Sequence, residues 1–478
     1  MKTTGLNIDL SSRKFQVLFL LTIVVSNLIL KFSFIHQDQI SFDEPWTLFF
    51  SQQPLPLLLD NLASDFHPPF YFILEHFSIK LFGDGVVGAR IISLLFSSLT
   101  ILPIFLIGKR INLNVGYYAV LFFFVSTIHM YFSHEARAYS LLCFLCSYSF
   151  YFLVKLLESN KPNIKDSIWF VIISCLLIYT HFFSLFLFLS QILIVLLFGR
   201  NKLKLFVILF LSILVLFIPY LPVFYNKFFV TNGMDFWLEG TPGLEGIYNN
   251  LWKFTNSPIM AIVSVLTVLG TLFFFIKNIK VKSGLVLKIV LLWLTITMMA
   301  MFLFSYKTNI YLERYLLFVT PALYILLANV SFICFKNKTL QNVIPIILIG
   351  VMSFSFKPET KNDLKPKEMA NYVNSIKNDK TLVLILPVWT KLNFCYHYDI
   401  DKFREFKNFD ANLRDDNIII TYGKLDEVFN LQNEYEKLIL IEAGKYNKST
   451  SKILKKKFEL TDYKDEFNGF EVYTFNFH

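Results

Sequence analysis

The chain has 478 residues, of which 55% are hydrophobic and only 17% charged, and phenylalanine alone contributes 55. A globular interior grows too slowly with chain length to hide so much apolar surface, and apolar runs of helix-spanning length recur along most of the sequence, so a soluble protein is excluded and a polytopic membrane protein expected. The net charge of +10 would suit a nucleic-acid partner, but in membrane proteins basic residues gather in cytoplasmic loops. The loop pattern below accounts for the excess, and no nucleic acid is expected.

The N-terminal segment "MKTTGLNIDLSSRKF" is basic and leads into an apolar run over about 15–35. No small-residue cleavage site closes that run, which therefore reads as a retained first span. Further spans fall near 86–108, 114–132, 138–157, 167–182, 184–199, 203–225, 258–276, 286–305, 312–335 and 339–355, giving about eleven helices of roughly 20 residues each. The basic loops "GKR", "KPNIK", "GRNKLK", "KNIKVK" and "FKNK" alternate along the chain and share a side with the N-terminus, which the positive-inside rule makes cytoplasmic. The opposite loops, 36–85, 133–137, 226–257 and 306–311, carry the acidic, aromatic and histidine-bearing segments. Cys143 and Cys146 form a CxxC pattern inside an apolar helix with no second ligand pair, and read as small hydrophobes rather than a metal site.

After residue 355 the hydropathy falls. A Pro-containing linker and an amphipathic helical pattern precede apolar strand patterns at "TLVLILP", "NIIITYG" and "KLILIEAG", separated by polar helical stretches. Alternating strand and helix patterns predict a small α/β domain over 357–478, and an odd number of spans places it outside the cytoplasm. The expected fold is therefore an all-α polytopic membrane domain, residues 1–356, followed by an extracytoplasmic α/β domain.

The chemistry-bearing residues lie in the loops opposite the basic ones. Loop 36–85 holds Asp43 and Glu44 at the end of the first span, then Asp65, His67, Pro68 and Pro69. Adjacent carboxylates at a membrane boundary are costly without a task or partners; one can act as a general base or help hold a divalent cation. The two prolines stop the chain sharply before a new helix. That helix, "FYFILEHFSIKLFG", reads as interfacial, with Glu75, His76 and Lys80 off its apolar face. "SHEARAYS" gives His134, Glu135, Arg137 and Tyr139 at the head of a span, an arrangement suited either to an anionic ligand or to a salt-bridged helix end. His181, in "LIYTHFFSLF", falls at a tight turn between spans, where it suits a turn cap. "IYLERYLLF" places Glu313 and Arg314 at the start of another span. Arginine suits phosphate because its planar fork donates paired hydrogen bonds.

The pieces "FDEPWT", "DFHPPFYFILEHFSIKLFGDGVVGARIISLLFSSLTI", "SHEARAYSLL", "LIYTHFFSLFLFLSQ" and "ERYLLFVTPAL" together resemble the polytopic glycosyltransferases of the GT-C superfamily. The likeness is to the bacterial branch related to protein O-mannosyltransferases and lipid A aminoarabinose transferases, and covers about 35–335. It implies a multi-pass protein of the bacterial plasma membrane that moves a hexosyl or pentosyl group from a polyprenyl-phosphate carrier to a lipid, glycan or protein acceptor on the outer side. It maps a catalytic aspartate onto Asp43, with Glu44 beside it, and a second acidic position onto Glu135. The carrier phosphate falls to Arg137 and Arg314, and Asp65, His67, His134, Tyr139 and His181 join them as substrate-binding positions. A divalent cation, with Asp43 as one ligand, is compatible but not required, because the arginines can supply the charge. Acceptor choice is expected to involve loop 226–257. The alternatives are a lipid-linked sugar flippase or transporter, and a surface-polysaccharide polymerase or ligase.

Overall fold

In the computed structural model, which describes residues 9–64, 67–226, 240–277, 284–359, 363–421, 425–443 and 448–477, the chain forms two compact units that do not follow chain order. The first takes Met1–Phe34, Leu59–Leu74 and Arg90–Thr360, and the second Ile35–Leu58, Glu75–Ala89 and Lys361–His478. Asp65 and most of the expected acceptor loop, 227–239, lie outside the described residues.

Apolar runs nearly free of charge build the helices of the first unit, because a helix satisfies its own backbone in lipid. Among the described residues, seven helical segments are long and apolar enough to cross a membrane, starting with Arg13–Ser33 and Val86–Ile111, and eight when a bent pair is counted as one span. Ser184–Phe198 and Lys338–Phe354 are shorter apolar helices. The chain is a multi-pass membrane protein. Close approach is built in where Gly108 meets Gly116: a Cβ on Gly108 would fall 2.8 Å from the Gly116 Cα. Small residues let membrane helices pack at such distances. Deeper in the same core, Phe150 stacks on Trp293 with ring centroids 4.2 Å apart.

The bent pair departs from the straight span that the sequence predicts over 114–132. Leu113–Phe124 and Thr127–Ser133 meet at 61°. The exposed backbone at the break is satisfied from a distant residue: Asn256 Nδ2 donates to Val125 O at 2.7 Å and Met352 O at 3.1 Å, and Asn256 Oδ1 accepts from Thr127 N at 3.0 Å. Asn256 ends the helix Leu244–Thr255 in the left-handed region, φ 64°, which asparagine tolerates better than most residues. Asn256→Ala should therefore lower the stability of the detergent-solubilised protein by about 1–3 kcal/mol, since three hydrogen bonds of part-buried groups are lost. Thermal unfolding checks this; an unchanged midpoint would mean the bend stands without Asn256.

In the second unit, β1 (Thr381–Leu386), β2 (Ile418–Ile420), β3 (Lys437–Ala443), β4 (Glu459–Lys464) and β5 (Phe470–Asn476) form one sheet in the order β2-β1-β3-β5-β4. β1 runs parallel to β2 and β3, whereas β5 runs antiparallel to β3 and β4. Every residue of β1 is buried, which explains its unbroken apolar sequence rather than an alternating one. The same unit holds the helix Glu44–Ser51. Phe49 packs its ring among Phe403, Phe406 and Phe409 at 5.4, 4.8 and 4.8 Å. Arg404 grips Asp84 through Nε at 2.8 Å and Nη2 at 3.1 Å.

The helix Phe70–Phe82 buries two of the three polar residues expected off its apolar face, Lys80 staying exposed. Glu75 and His76 are 0% and 2% exposed, while Phe77, Leu81 and Phe82 are at least half exposed. A helix whose outward surface meets apolar surroundings turns its polar residues inward, which an aqueous reading of the pattern misses.

Candidate active site

Pro68 and Pro69 fix the backbone ahead of the helix that starts at Phe70, and Phe70 N donates to Tyr179 O at 2.9 Å. This ties the His-Pro-Pro segment to the turn carrying His181. His67 Nε2 accepts from Arg137 Nη2 at 2.7 Å, fixing the plane of the guanidinium. The Arg137 backbone is held in turn: its carbonyl accepts from Ser93 Oγ at 3.0 Å, and Ser93 Oγ pairs with Tyr71 OH at 2.8 Å. Arg137 is 8% exposed.

His181 lies beside this pair. Burial, reinforced by the neighbouring His67, Arg137 and Arg314, pushes its pKa down to about 3, so it is neutral at physiological pH and the formal charge of the cluster rests on the arginines. The Tyr139 and Tyr315 rings lie 6.2 and 6.0 Å from the His181 ring, and Phe183 lies 4.7 Å from it. The guanidinium of Arg314 covers the Tyr315 ring at 4.9 Å, and its neighbour Glu313 pairs with Lys253 at 2.9 Å. The structure thus brings His67, Arg137, Tyr139, His181 and Arg314 together in the first unit. Two guanidinium forks framed by neutral imidazole and aromatic faces suit a phosphate attached to an apolar chain.

His134 and Glu135 flank Arg137 in the same short segment. His134 Nε2 donates to Lys31 O at 2.7 Å, and burial holds its pKa down to about 4, so this imidazole is a neutral anchor to the end of the first helix. Glu135 is 9% exposed, and its carbonyl accepts from Arg137 N at 2.7 Å, closing the turn.

Asp43 and Glu44 belong to the second unit, at the start of the helix Glu44–Ser51. Asp43 occupies the N-cap position but makes no side-chain capping bond, and it is half-buried. Glu44 is 1% exposed, and its Oε2 accepts from Ser41 N at 3.3 Å. A third acid of the second unit is Glu75. Glu75 is fully buried, and neither oxygen has a hydrogen-bond partner among the described residues. Burial, and to a lesser extent the field of Glu44, raise its pKa well above the usual carboxylate range. Its signal in the sequence, an acid in a mostly apolar helix, is visible only once the helix is read as facing lipid. Among the described residues, no three His, Cys, Asp or Glu side chains gather to hold a metal ion, so a divalent cation finds no ready set of ligands there.

Residues 66–225 match the family model described as dolichyl-phosphate-mannose-protein mannosyltransferase. No curated protein sequence matches the chain. Among solved structures, ArnT from Cupriavidus metallidurans in the apo state aligns with a TM-score of 0.61 and 12% identity over 97% of this chain and 98% of its own. The same protein bound to undecaprenyl phosphate aligns with a TM-score of 0.61 and 12% identity over 98% of this chain and 99% of its own. The chain thus shares the fold of ArnT, and its residues 66–225 are similar to the dolichyl-phosphate-mannose-protein mannosyltransferase family.

Proposed function

We propose that the chain transfers a hexosyl or pentosyl group from a polyprenyl-phosphate carrier to a hydroxyl of a lipid, glycan or protein acceptor on the non-cytoplasmic side of the membrane. The observation that carries this reading is the cluster of Arg137, held by His67, with His181 and Arg314, in a chain whose fold matches a protein solved with undecaprenyl phosphate. Arg137 and Arg314 bind the carrier phosphate and stabilise the charge that grows on it as it leaves. Asp43 takes the proton of the acceptor hydroxyl. The acceptor oxygen then bonds to the anomeric carbon while the bond from that carbon to the phosphate oxygen breaks and its electrons leave with the phosphate. One direct displacement inverts the anomeric centre. Glu44 and Glu135 are the further acidic positions of this reading, and Asp65, Tyr139 and His134 its further substrate-binding positions.

Purified protein in detergent, given a polyprenyl-phosphate-linked sugar and an acceptor extract, should release carrier phosphate and glycosylated product. A specific observation favours a second reading, transport of a lipid-linked sugar: the helix is broken between Phe124 and Thr127, and discontinuous helices form the binding sites of many secondary transporters. Carrier binding with no turnover would favour that reading.

The topology that goes with the proposal has about eleven crossings, counting with the seven long helices the bent pair, the shorter apolar helices Ser184–Phe198 and Lys338–Phe354, and the helix Ile164–Ile178; the N-terminus is then cytoplasmic and the segment after 360 on the opposite side. Alkaline phosphatase fused after residue 360 should be active, and an inactive fusion would mean that the crossing count is even.

A further inference from the structure

The second unit contains a clamp on the segment that carries Asp43. Three consecutive carbonyls ahead of Asp43 are all engaged. Ile40 O accepts from His397 Nε2 at 2.8 Å, Ser41 O from Glu44 N at 3.1 Å, and Phe42 O from Asn393 Nδ2 at 2.9 Å. Two of the three donors come from one helix, Thr390–Tyr398, more than 300 residues away. Spaced four apart, Asn393 and His397 share a face of that helix, so they grip alternate carbonyls of the loop.

The residue between these anchors is strained. Phe42 has φ 55°, a left-handed conformation that a bulky aromatic residue adopts only when its surroundings impose it. Packing does not explain the choice of phenylalanine there, because its side chain is half exposed. The left-handed step turns the chain into the helix Glu44–Ser51 and sets the direction in which Asp43 leaves the backbone. Asn393 is 1% exposed, and its Oδ1 has no hydrogen-bond partner among the described residues, so a buried amide is kept here for its donor alone. An apolar residue of similar size would fill that space without leaving an unsatisfied acceptor.

We propose that Asn393 and His397 are positioning residues for Asp43: by holding the carbonyls of Phe42 and Ile40 they keep Phe42 left-handed and fix the direction of the Asp43 carboxylate. The C-terminal segment is thereby a working part of the transferase rather than an appended module. The inference rests on the reading of Asp43 as the base, so the tests keep the two apart.

Asn393→Ala and His397→Ala, made in the full-length protein in detergent, should each lower kcat about tenfold or more, since small misplacements of a catalytic group are costly. The KM for the carrier should stay within about twofold, because the arginine cluster is untouched. His397→Gln keeps a donor and should recover most of the loss. The decisive variant is Phe42→Gly in the Asn393→Ala background. Glycine adopts a left-handed φ without strain, so it should restore a large part of kcat, whereas a merely structural loss at Asn393 would not respond. Wild-type kcat in both alanine variants, or no recovery with Phe42→Gly, overturns the proposal while leaving Asp43 as the base. Full activity of Asp43→Asn, measured alongside, removes both.

Discussion

Asp43→Asn should leave no more than about one hundredth of wild-type transfer, because a positioned general base is worth roughly 10²–10⁴ in rate. The substitution is almost isosteric, and the Asp43 side chain makes no capping bond to the helix that follows. Neither packing nor a cap is therefore lost. Insertion, thermal stability and carrier binding should match wild type, so the defect belongs to the chemical step. Glu44 provides the contrast. Its carboxylate is almost completely buried and accepts from Ser41 N, and glutamine retains an acceptor oxygen for that bond. Glu44→Gln should accordingly cost less than Asp43→Asn and act mostly through loop geometry. Initial rates with saturating acceptor, together with carrier affinity, separate the two. An Asp43→Asn protein that inserts normally and transfers at the wild-type rate would end the assignment.

The readable part of this protein was the part governed by hydropathy. Long runs with few charges are helices because lipid leaves the backbone no other choice, and the unbroken apolar stretch Thr381–Leu386 is a buried central strand. The hairpin of Glu459–Lys464 and Phe470–Asn476 was not read, because all but the last residue of its first strand are exposed and no apolar alternation marks them. The bend between Phe124 and Thr127 also left no local mark: no proline or glycine stands there, and its hydrogen bonds come from Asn256, far along the chain. The site divides in the same way. Arg137, His181 and Arg314 could be named from their places at span ends. The work of Asn393 and His397 depends on contacts 351 and 357 residues distant, and nothing in "TKLNFCYHY" marks which polar side chain turns inward. Glu75 was visible but misjudged, since a pattern of polar and apolar faces does not say which face meets water.

Arg137→Ala should weaken carrier binding by about 2–5 kcal/mol, the range for removing one partner of a desolvated charge pair. Arg314→Ala should cost less, because Arg314 is half-buried and lies over the Tyr315 ring, whereas Arg137 is almost fully buried. Charge alone is not the whole of the role. His67 accepts from Arg137 Nη2 at 2.7 Å and thereby sets the guanidinium plane, so Arg137→Lys, which keeps the charge but lacks the fork, should recover only part of the affinity. His67→Ala should then resemble a weak form of Arg137→Lys: the charge stays but its orientation loosens. Lowering the pH from 8 to 6 should barely change carrier affinity through His181, whose pKa of about 3 keeps it neutral across that range. Titration of carrier phosphate into each variant, followed by intrinsic fluorescence or calorimetry, gives these affinities directly. Unchanged affinity in both alanine variants would take the arginines out of the phosphate site, and a fully competent Arg137→Lys would reduce Arg137 to a point charge.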